Sequence, residues 1–149
     1  PATRPLPMFA GENSIDLVVA MDVFEHIDIS ALCNLLVEAK TCLRAGGVLV
    51  ARVPSGDSPF ARSIQHGDLT HRIILGSSAI RQLAEQSGFV VKAIREPAFP
   101  IRGLGVRVFI RRLSIVCARR LIYPLITQAL MGGGQPVLTP NLVCVLEKP

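Results

Sequence analysis

The sequence has few aromatic side chains: there is no tryptophan, and Tyr123 is the only tyrosine among 149 residues. Surfaces that bind single-stranded nucleic acid usually combine basic side chains with aromatic rings on which bases stack. The lysine content of the basic region is also low. We therefore expect no nucleic-acid partner, although the formal net charge is +5.

The cysteines lack the spacing of a metal site or a redox pair. Three of the four lie within apolar or helical patterns, which predicts small buried side chains and a reducing compartment. The N-terminus has no basic region followed by an apolar core, so no signal peptide is predicted. We expect a cytoplasmic protein. The four cysteines are Cys33, Cys42, Cys117 and Cys144.

Acidic residues are missing from one long stretch, since none occurs between Glu96 and Glu147. Residues 1–60 hold four Lys/Arg and seven Asp/Glu, whereas residues 61–149 hold twelve and four. Such asymmetry favours a surface that meets phosphate, an acidic acceptor or anionic lipid. The arginines in the stretch are Arg102, Arg107, Arg111, Arg112, Arg119 and Arg120.

Long apolar runs are also scarce. The segment "LIYPLITQALM" (121–131) is too short to span a bilayer and contains Pro124. Residues 103–131 predict an Arg-rich helical insertion, broken at Pro124 and imperfectly amphipathic. It could be a lid over an acceptor, a helix on a membrane surface, or a helix packed on a sheet with a solvated basic face. A membrane surface would be met through Arg107, Arg111, Arg112 and Arg119.

What the sequence does contain is an alternation of strands and helices. "IDLVVAM" (15–21) predicts a strand buried on both faces, and residues 28–43 have helical spacing. Gly46 and Gly47 are expected to close that helix, and "GVLVARVP" (47–54) predicts the next strand. This is the pattern of a parallel strand–helix–strand unit. A helix at 77–89 and strands at 89–96 and 141–149 complete an α/β fold.

Four segments in this order resemble the class I S-adenosylmethionine-dependent methyltransferases. They are "LPMFAGENSIDLVVAMDVFEHI", "CLRAGGVLVARVPSG", "HGDLTHR" and "LAEQSGF". The resemblance covers nearly the whole chain and is closest to the small-molecule and sugar-modifying branch. It implies a Rossmann-like, mostly parallel sheet with an antiparallel final strand, and S-adenosylmethionine as cofactor. The implied reaction is methyl transfer to a small acceptor such as a sugar or sugar-lipid hydroxyl.

The resemblance also implies where the site lies. The cofactor of such enzymes lies across the carboxyl ends of the parallel strands. Met21, Asp22 and Val23 would therefore face the cofactor. The predicted substrate-binding residues, on the next loop and in "HGDLTHR", are Pro54, Ser55, Asp57 and Asp68.

A proton must leave a hydroxyl or amine acceptor, and a histidine suits this task because it titrates near neutrality. His26 and His71 are the candidate catalytic residues, with Glu25 or Asp68 as an orienting partner or substitute base. Two structural alternatives stay open. Glu25 and His26 are also typical of a first helical turn, and His71 could simply fix its loop by a hydrogen bond. The histidines match no familiar ligand spacing, so no metal is predicted.

The family's glycine-rich loop and its ribose-binding acid would precede everything seen here. We therefore interpret residues 1–149 as a partial methyltransferase domain, the carboxyl-terminal half, and expect this chain alone to be inactive. The alternative is a truncated, non-catalytic module. It would act at a membrane surface or dimerise through an open sheet edge.

Overall fold

The computed structural model describes residues 6–100, 105–130, 133 and 136–149. These belong to two units: a sheet unit, residues 1–97 with 137–149, and a helical unit, residues 98–136. The residue range of the helical unit includes the insertion predicted at about 103–131. The first five residues of the chain and parts of residues 98–136 lie outside the described residues.

The sheet unit is built on a mixed sheet that has four strands in the described part of the chain. The strands are β1 (Ile15–Met21), β2 (Leu43–Pro54), β3 (Val90–Arg95) and β4 (Asn141–Glu147), in the spatial order β1-β2-β4-β3. β1 and β2 pair in parallel, and β4 is antiparallel to both of its neighbours. The predicted α/β class and the antiparallel final strand are confirmed.

Helix α1 (Ile29–Cys42) connects β1 to β2 and ends earlier than its glycines suggested. Gly46 and Gly47 do not close the helix, because they lie inside β2. The pairing jumps from Ile15 with Leu43 to Leu17 with Val48, so the intervening residues bulge from the ladder. Gly46 has φ 74°, a left-handed conformation that glycine adopts without steric cost. Here the glycine pair makes a bulge in the strand.

β1 is not buried on both faces, contrary to the prediction. It is an edge strand in the described sheet, and Leu17, Val19 and Met21 are 45–54% exposed. Residues two apart lie on the same face of a strand, so these three form one exposed apolar row. β2, which has neighbours on both sides, instead buries alternate side chains such as Leu49, Ala51 and Val53.

The core lies between the sheet and helices α1 and α3 (Ser77–Ser87). Leu32 and Leu36 of α1 and Leu142 of β4 are at most 1% exposed. Each such burial stabilises the fold by about 1.5–3 kcal/mol. Gly88 ends α3 in the left-handed conformation, as its place in the sequence predicts.

The segment between β2 and α3 is a long loop with a little regular structure. It contains a 3-10 turn at Pro59–Ala61 and a one-turn helix α2 (Arg62–Gln65). Ser58 caps the 3-10 turn by accepting a hydrogen bond from the Phe60 N–H at 3.2 Å. A parallel bridge from Ser55 to Leu75 returns the loop to the end of β2.

The helical unit consists mainly of α4 (Val106–Leu130), a single helix with Pro124 inside it. The predicted break at Pro124 is therefore wrong. The centroid of the Phe99 ring lies 5.1 Å from the guanidinium carbon of Arg112 and 5.4 Å from that of Arg119. Arg112 and Arg119 are seven residues apart, so they lie on the same helical face. By length and composition alone α4 could cross a membrane, which the shorter segment 121–131 could not.

Candidate active site

The site begins where β1 ends. Asp22 has φ 54°, a left-handed conformation that aspartate tolerates better than most residues, and it turns the chain off the strand. A 3-10 turn, Phe24–His26, follows directly. The Phe24 ring is buried in the core, which fixes the turn and the polar side chains next to it.

Asp22 is neutralised by a cation from the neighbouring strand. Arg52 of β2 is the register partner of Met21, and its Nε donates to Asp22 Oδ1 at 3.0 Å. Its Nη2 also donates to Asp22 Oδ2. The hydrogen bond to Asp22 raises the pKa of Arg52 further, so the guanidinium stays charged. The two strand tips are joined by a two-point ion pair.

The backbone of Glu25 binds the loop that carries His71. The Glu25 carbonyl accepts hydrogen bonds from the N–H groups of Arg72 at 2.7 Å and Ile73 at 3.3 Å. As a result the rings of His26 and His71 meet edge to face, with centroids 4.8 Å apart. Residues 25–26 and 71 are distant in sequence, and the fold brings them together.

The tautomer of His26 follows from its neighbours. Thr70 Oγ1 donates its single proton to Asp68 Oδ1 at 2.6 Å, and the hydrogen bonds from Thr70 lower the pKa of Asp68. Thr70 Oγ1 lies 2.8 Å from His26 Nδ1, so this nitrogen must donate to the hydroxyl. The neutral ring then carries its lone pair on Nε2.

His71 has the same tautomer for a simpler reason. Its Nδ1 lies 3.1 Å from the Gln65 carbonyl oxygen, which can only accept a hydrogen bond. Nε2 of the neutral ring therefore holds the lone pair, 3.9 Å from Asp68 Oδ2. In their neutral forms both histidines of this pair therefore have Nε2 unprotonated.

The carboxylate of Glu25 is the third member of this cluster. Glu25 is 3% exposed, and its Oε2 has no hydrogen-bond partner in the part of the chain that the structure describes. Burial raises the pKa of Glu25 above its usual value, because a charged carboxylate loses hydration there. Buried polar groups normally have hydrogen-bond partners, so this oxygen lacks one that its burial calls for, as far as the described residues show.

These groups line an open cleft of about 430 Å³ at the ends of β1 and β2. The cleft brings together five predicted site residues that have polar side chains. They are Asp22, Glu25, His26, Asp68 and His71, and Pro54 of the opposite lip also lines it. Met21 and Val23, the other predicted cofactor residues, are partly exposed beside Asp22.

Two predicted substrate residues instead hold the loop together. Ser55 is fully buried and donates to the Val137 carbonyl at 2.6 Å, so a contact with substrate is incompatible with its position. Asp57 accepts hydrogen bonds from the Ser77 N–H and hydroxyl, and from the Val137 N–H. It thereby supports the start of α3.

Sequence reasoning missed Arg52, Gln65 and Thr70. Arg52 had a visible signal, because it is a charged residue within the apolar strand "VLVARVP". Gln65 and Thr70 had none: their role is to fix the rings of two histidines, which depends on how the loop folds. His66, the remaining histidine of the chain, is exposed and does not line the cleft.

A polar cleft at the carboxyl ends of adjacent parallel strands is where open α/β sheets bind ligands. Residues 5–94 match a family model described as a methyltransferase domain. The chain belongs to the methyltransferase domain family. The match includes every predicted site residue. Comparison with curated proteins finds no matching sequence.

Solved structures show the same fold at low sequence identity. A SAM-dependent methyltransferase from Archaeoglobus fulgidus superposes with a TM-score of 0.58 at 16% identity, over 92% of this chain and 61% of that one. A putative methyltransferase from Bacillus halodurans gives 0.54 at 14%, over 93% and 71%. Phosphoethanolamine N-methyltransferase 2 of Haemonchus contortus, in complex with S-adenosyl-L-methionine, gives 0.52 at 14%, over 93% and 34%. The chain thus spans about three fifths of the Archaeoglobus protein.

Proposed function

We propose that this chain supplies the acceptor side of an S-adenosylmethionine-dependent methyltransferase whose acceptor is a small molecule. The observation that carries the proposal is the parallel pairing of β1 with β2. This pairing brings Glu25, His26 and Pro54 to one cleft. Family membership and the fold of the solved neighbours agree with this reaction.

The residues present fit part of the cofactor. Met21 and Val23 offer exposed apolar surface on either side of Asp22, whose charge is balanced by Arg52. We assign to these positions the contacts with the methionine end of the cofactor. When bound, S-adenosylmethionine supplies an electrophilic methyl group on a sulfonium.

The remaining contacts would come from a further part of a Rossmann-like sheet. The apolar row of Leu17, Val19 and Met21 supports this proposal, because a strand rarely exposes so much apolar surface on one face. A helix packed on that face and a strand paired with the edge of β1 would complete the sheet. On this proposal the described chain alone is inactive.

Methyl transfer to a hydroxyl requires that the acceptor lose its proton as its oxygen attacks the methyl carbon. The carbon–sulfur bond breaks with its electron pair left on sulfur, which becomes a neutral thioether. In the absence of other ligands, His26 Nε2 is free to take the proton, with Thr70 and Asp68 holding the opposite side of the ring. Glu25 lies beside it and would stabilise the imidazolium.

The acceptor we propose is a hydroxyl compound, such as a sugar or a sugar-lipid intermediate. The cleft supports a polar acceptor, since Asp68, Asn141 and Ser63 contribute hydrogen-bonding groups around its opening. Pro54 and Ile64 add apolar contact surface. Recognition would therefore combine hydrogen bonds with a limited apolar face.

The decisive experiment measures transfer of labelled methyl from S-adenosylmethionine by the full-length protein that carries this chain. The acceptors are a panel of polyhydroxylated compounds. We expect His26→Ala and Glu25→Gln to lower kcat by about 10²–10⁴-fold, the usual contribution of general base catalysis. His66→Ala is the matched control, an exposed histidine outside the cleft, and should retain the wild-type rate. Equal rates in all four proteins would refute the assignment.

A second proposal concerns the membrane, and the composition of α4 supports it. Its arginines would contact anionic lipid headgroups, and its apolar residues would insert. On this proposal the protein lies in the cytoplasm and binds the membrane surface peripherally. Such a location would suit a lipid-linked acceptor. The four arginines concerned are Arg107, Arg111, Arg112 and Arg119.

Sedimentation with vesicles tests the membrane proposal. Binding to vesicles that contain anionic lipid, lost in 0.5 M salt or on changing Arg107 and Arg111 to Gln, is the expected result. Equal sedimentation with neutral and anionic vesicles would contradict it. The non-catalytic alternative, dimerisation through the open edge of β1, predicts a concentration-dependent dimer in analytical ultracentrifugation and no methyl transfer.

A further inference from the structure

Glu25, His26 and His71 bring potential metal-ligand atoms close together at the wall of the cleft. One ligand atom from each residue lies within 4.8 Å of the other two. Both imidazoles donate through Nδ1 to a fixed partner and leave Nε2 free, which is the arrangement found around metal-bound histidines. The carboxylate oxygen Oε2 of Glu25 is buried and has no partner among the described residues.

We propose that Glu25, His26 and His71 bind a divalent transition-metal ion. Two imidazoles and one carboxylate form a three-ligand set that leaves coordination positions open toward the cleft. The ion would supply the missing partner for Glu25 Oε2. The sequence predicted no metal here, because the ligands come from two separate segments and show no ligand motif.

The local charge favours a cation. Asp22 is balanced by Arg52, and Arg72 is paired with Asp28 outside the cleft. Glu25 and Asp68 therefore contribute two negative charges without an arginine or lysine partner in the described structure. Asp68 also faces the lone pair of His71, and two electron-rich groups in that position attract a positive ion between or beside them.

The geometry needs only a small adjustment. Metal–ligand bonds of about 2.0–2.2 Å place the ligand atoms roughly 3–3.5 Å apart. The three side chains would therefore close by about 1–2 Å around the ion. Thr70 and the Gln65 carbonyl already hold the two rings in the required tautomer, so little ordering remains to be done.

The donor set selects the class of ion. Imidazole suits zinc, cobalt, iron, nickel and copper, whereas magnesium prefers an all-oxygen, octahedral environment. We therefore expect Zn²⁺ and Co²⁺ to bind more tightly than Mg²⁺. Three protein ligands with an open position are typical of catalytic rather than structural zinc sites.

A catalytic use of the ion rests on the proposed methyl transfer, but its binding does not. With the ion in place, the two Nε2 lone pairs are occupied and His26 no longer acts as the base. An acceptor hydroxyl bound at an open position would instead be acidified by the ion, and its proton would pass to water in the open cleft. The methyl carbon then bonds to that oxygen as described above.

The test is calorimetric titration of the metal-free protein with Zn²⁺, Co²⁺ and Mg²⁺, combined with the visible absorption of bound Co²⁺. We expect one Zn²⁺ or Co²⁺ per chain. Glu25→Gln, His26→Ala and His71→Ala should each weaken Co²⁺ binding by more than about 10-fold. His66→Ala is the control and should bind normally. Circular dichroism and the thermal midpoint check that each variant is folded.

Three results would overturn the proposal: no Zn²⁺ or Co²⁺ binding, tightest binding for Mg²⁺, or loss of binding only in His66→Ala. Metal binding is read out without S-adenosylmethionine or an acceptor. If the full-length protein of the methyl-transfer assay binds Co²⁺ but transfers no methyl, the proposed function alone is refuted. Methyl transfer that survives exhaustive chelation would refute the catalytic use of the ion alone.

Discussion

Two carboxylates, three residues apart at the end of β1, have opposite environments. Asp22 is partly exposed and held by both arms of the Arg52 guanidinium. Glu25 is buried, has an oxygen without a hydrogen-bond partner among the residues that the structure describes, and lies beside two histidines. A paired carboxylate joins two strand tips, whereas an unpartnered buried one is costly to the fold. Such a cost is commonly found at functional sites.

The largest of the expected effects concerns the Glu25 side of this comparison and comes from Thr70. Thr70 contacts neither carboxylate but fixes the ring of His26. Thr70→Val keeps the shape of the side chain but removes the oxygen that fixes His26 Nδ1. Loss of such an outer hydrogen bond should weaken Co²⁺ binding about 10–100-fold, with little change in the thermal midpoint. Thr70→Ser retains a hydroxyl and should restore most of the affinity. An unchanged affinity in Thr70→Val would show that the tautomer is set in another way.

Breaking the ion pair should have a smaller effect, on stability. Arg52→Met leaves Asp22 without its cation and should lower the free energy of unfolding by about 1 kcal/mol, since both side chains are partly exposed. Urea denaturation measures this. The double variant Arg52→Met with Asp22→Asn should recover part of the loss. Full additivity of the two single changes would mean that the pair contributes no interaction energy.

Glu25→Gln should change the free energy of unfolding in the opposite direction. In EDTA at pH 7 it should raise the free energy of unfolding by about 1 kcal/mol, because a neutral amide avoids the burial of a charge. The raised pKa means that Glu25 stabilises the fold only when protonated. That contribution is complete below its ordinary value of 4.5 and is lost as pH rises through the folded-state pKa. The gain should therefore vanish near pH 4, and a gain independent of pH would contradict this explanation.

Much of the sheet unit could be predicted from the sequence, because its core strands have clear apolar patterns. The run at 141–149 and the helix before Gly88 were found within two residues. The prediction that β1 is buried on both faces was wrong for a physical reason. Its apolar residues are suited to such burial, yet the described part of the chain covers only one face of the strand. Gly46 and Gly47 misled because a glycine pair serves a strand bulge as well as a helix end.

The site was predictable only as a set of candidates. The polar cluster after β1 indicated that Asp22, Glu25 and His26 belong to a strand tip, and parallel pairing then placed Pro54 opposite them. The protonation of each ring nitrogen was beyond the sequence, because it depends on hydrogen bonds from Thr70 and Gln65. The burial of Glu25 was hidden for the same reason.

The loop after β2 also governs how freely the rest of the protein can vary. Ser55, Asp57 and Ser58 bind the backbone of Val137 and Leu138 at the point where the chain re-enters the sheet unit. The last strand is thus fixed in register by side chains far upstream of it. Residues 98–136 leave the sheet unit and return to it at this point, so a change in their length need not alter the register of the last strand. Evolution could adapt that excursion to new surroundings while the chemistry stayed unchanged.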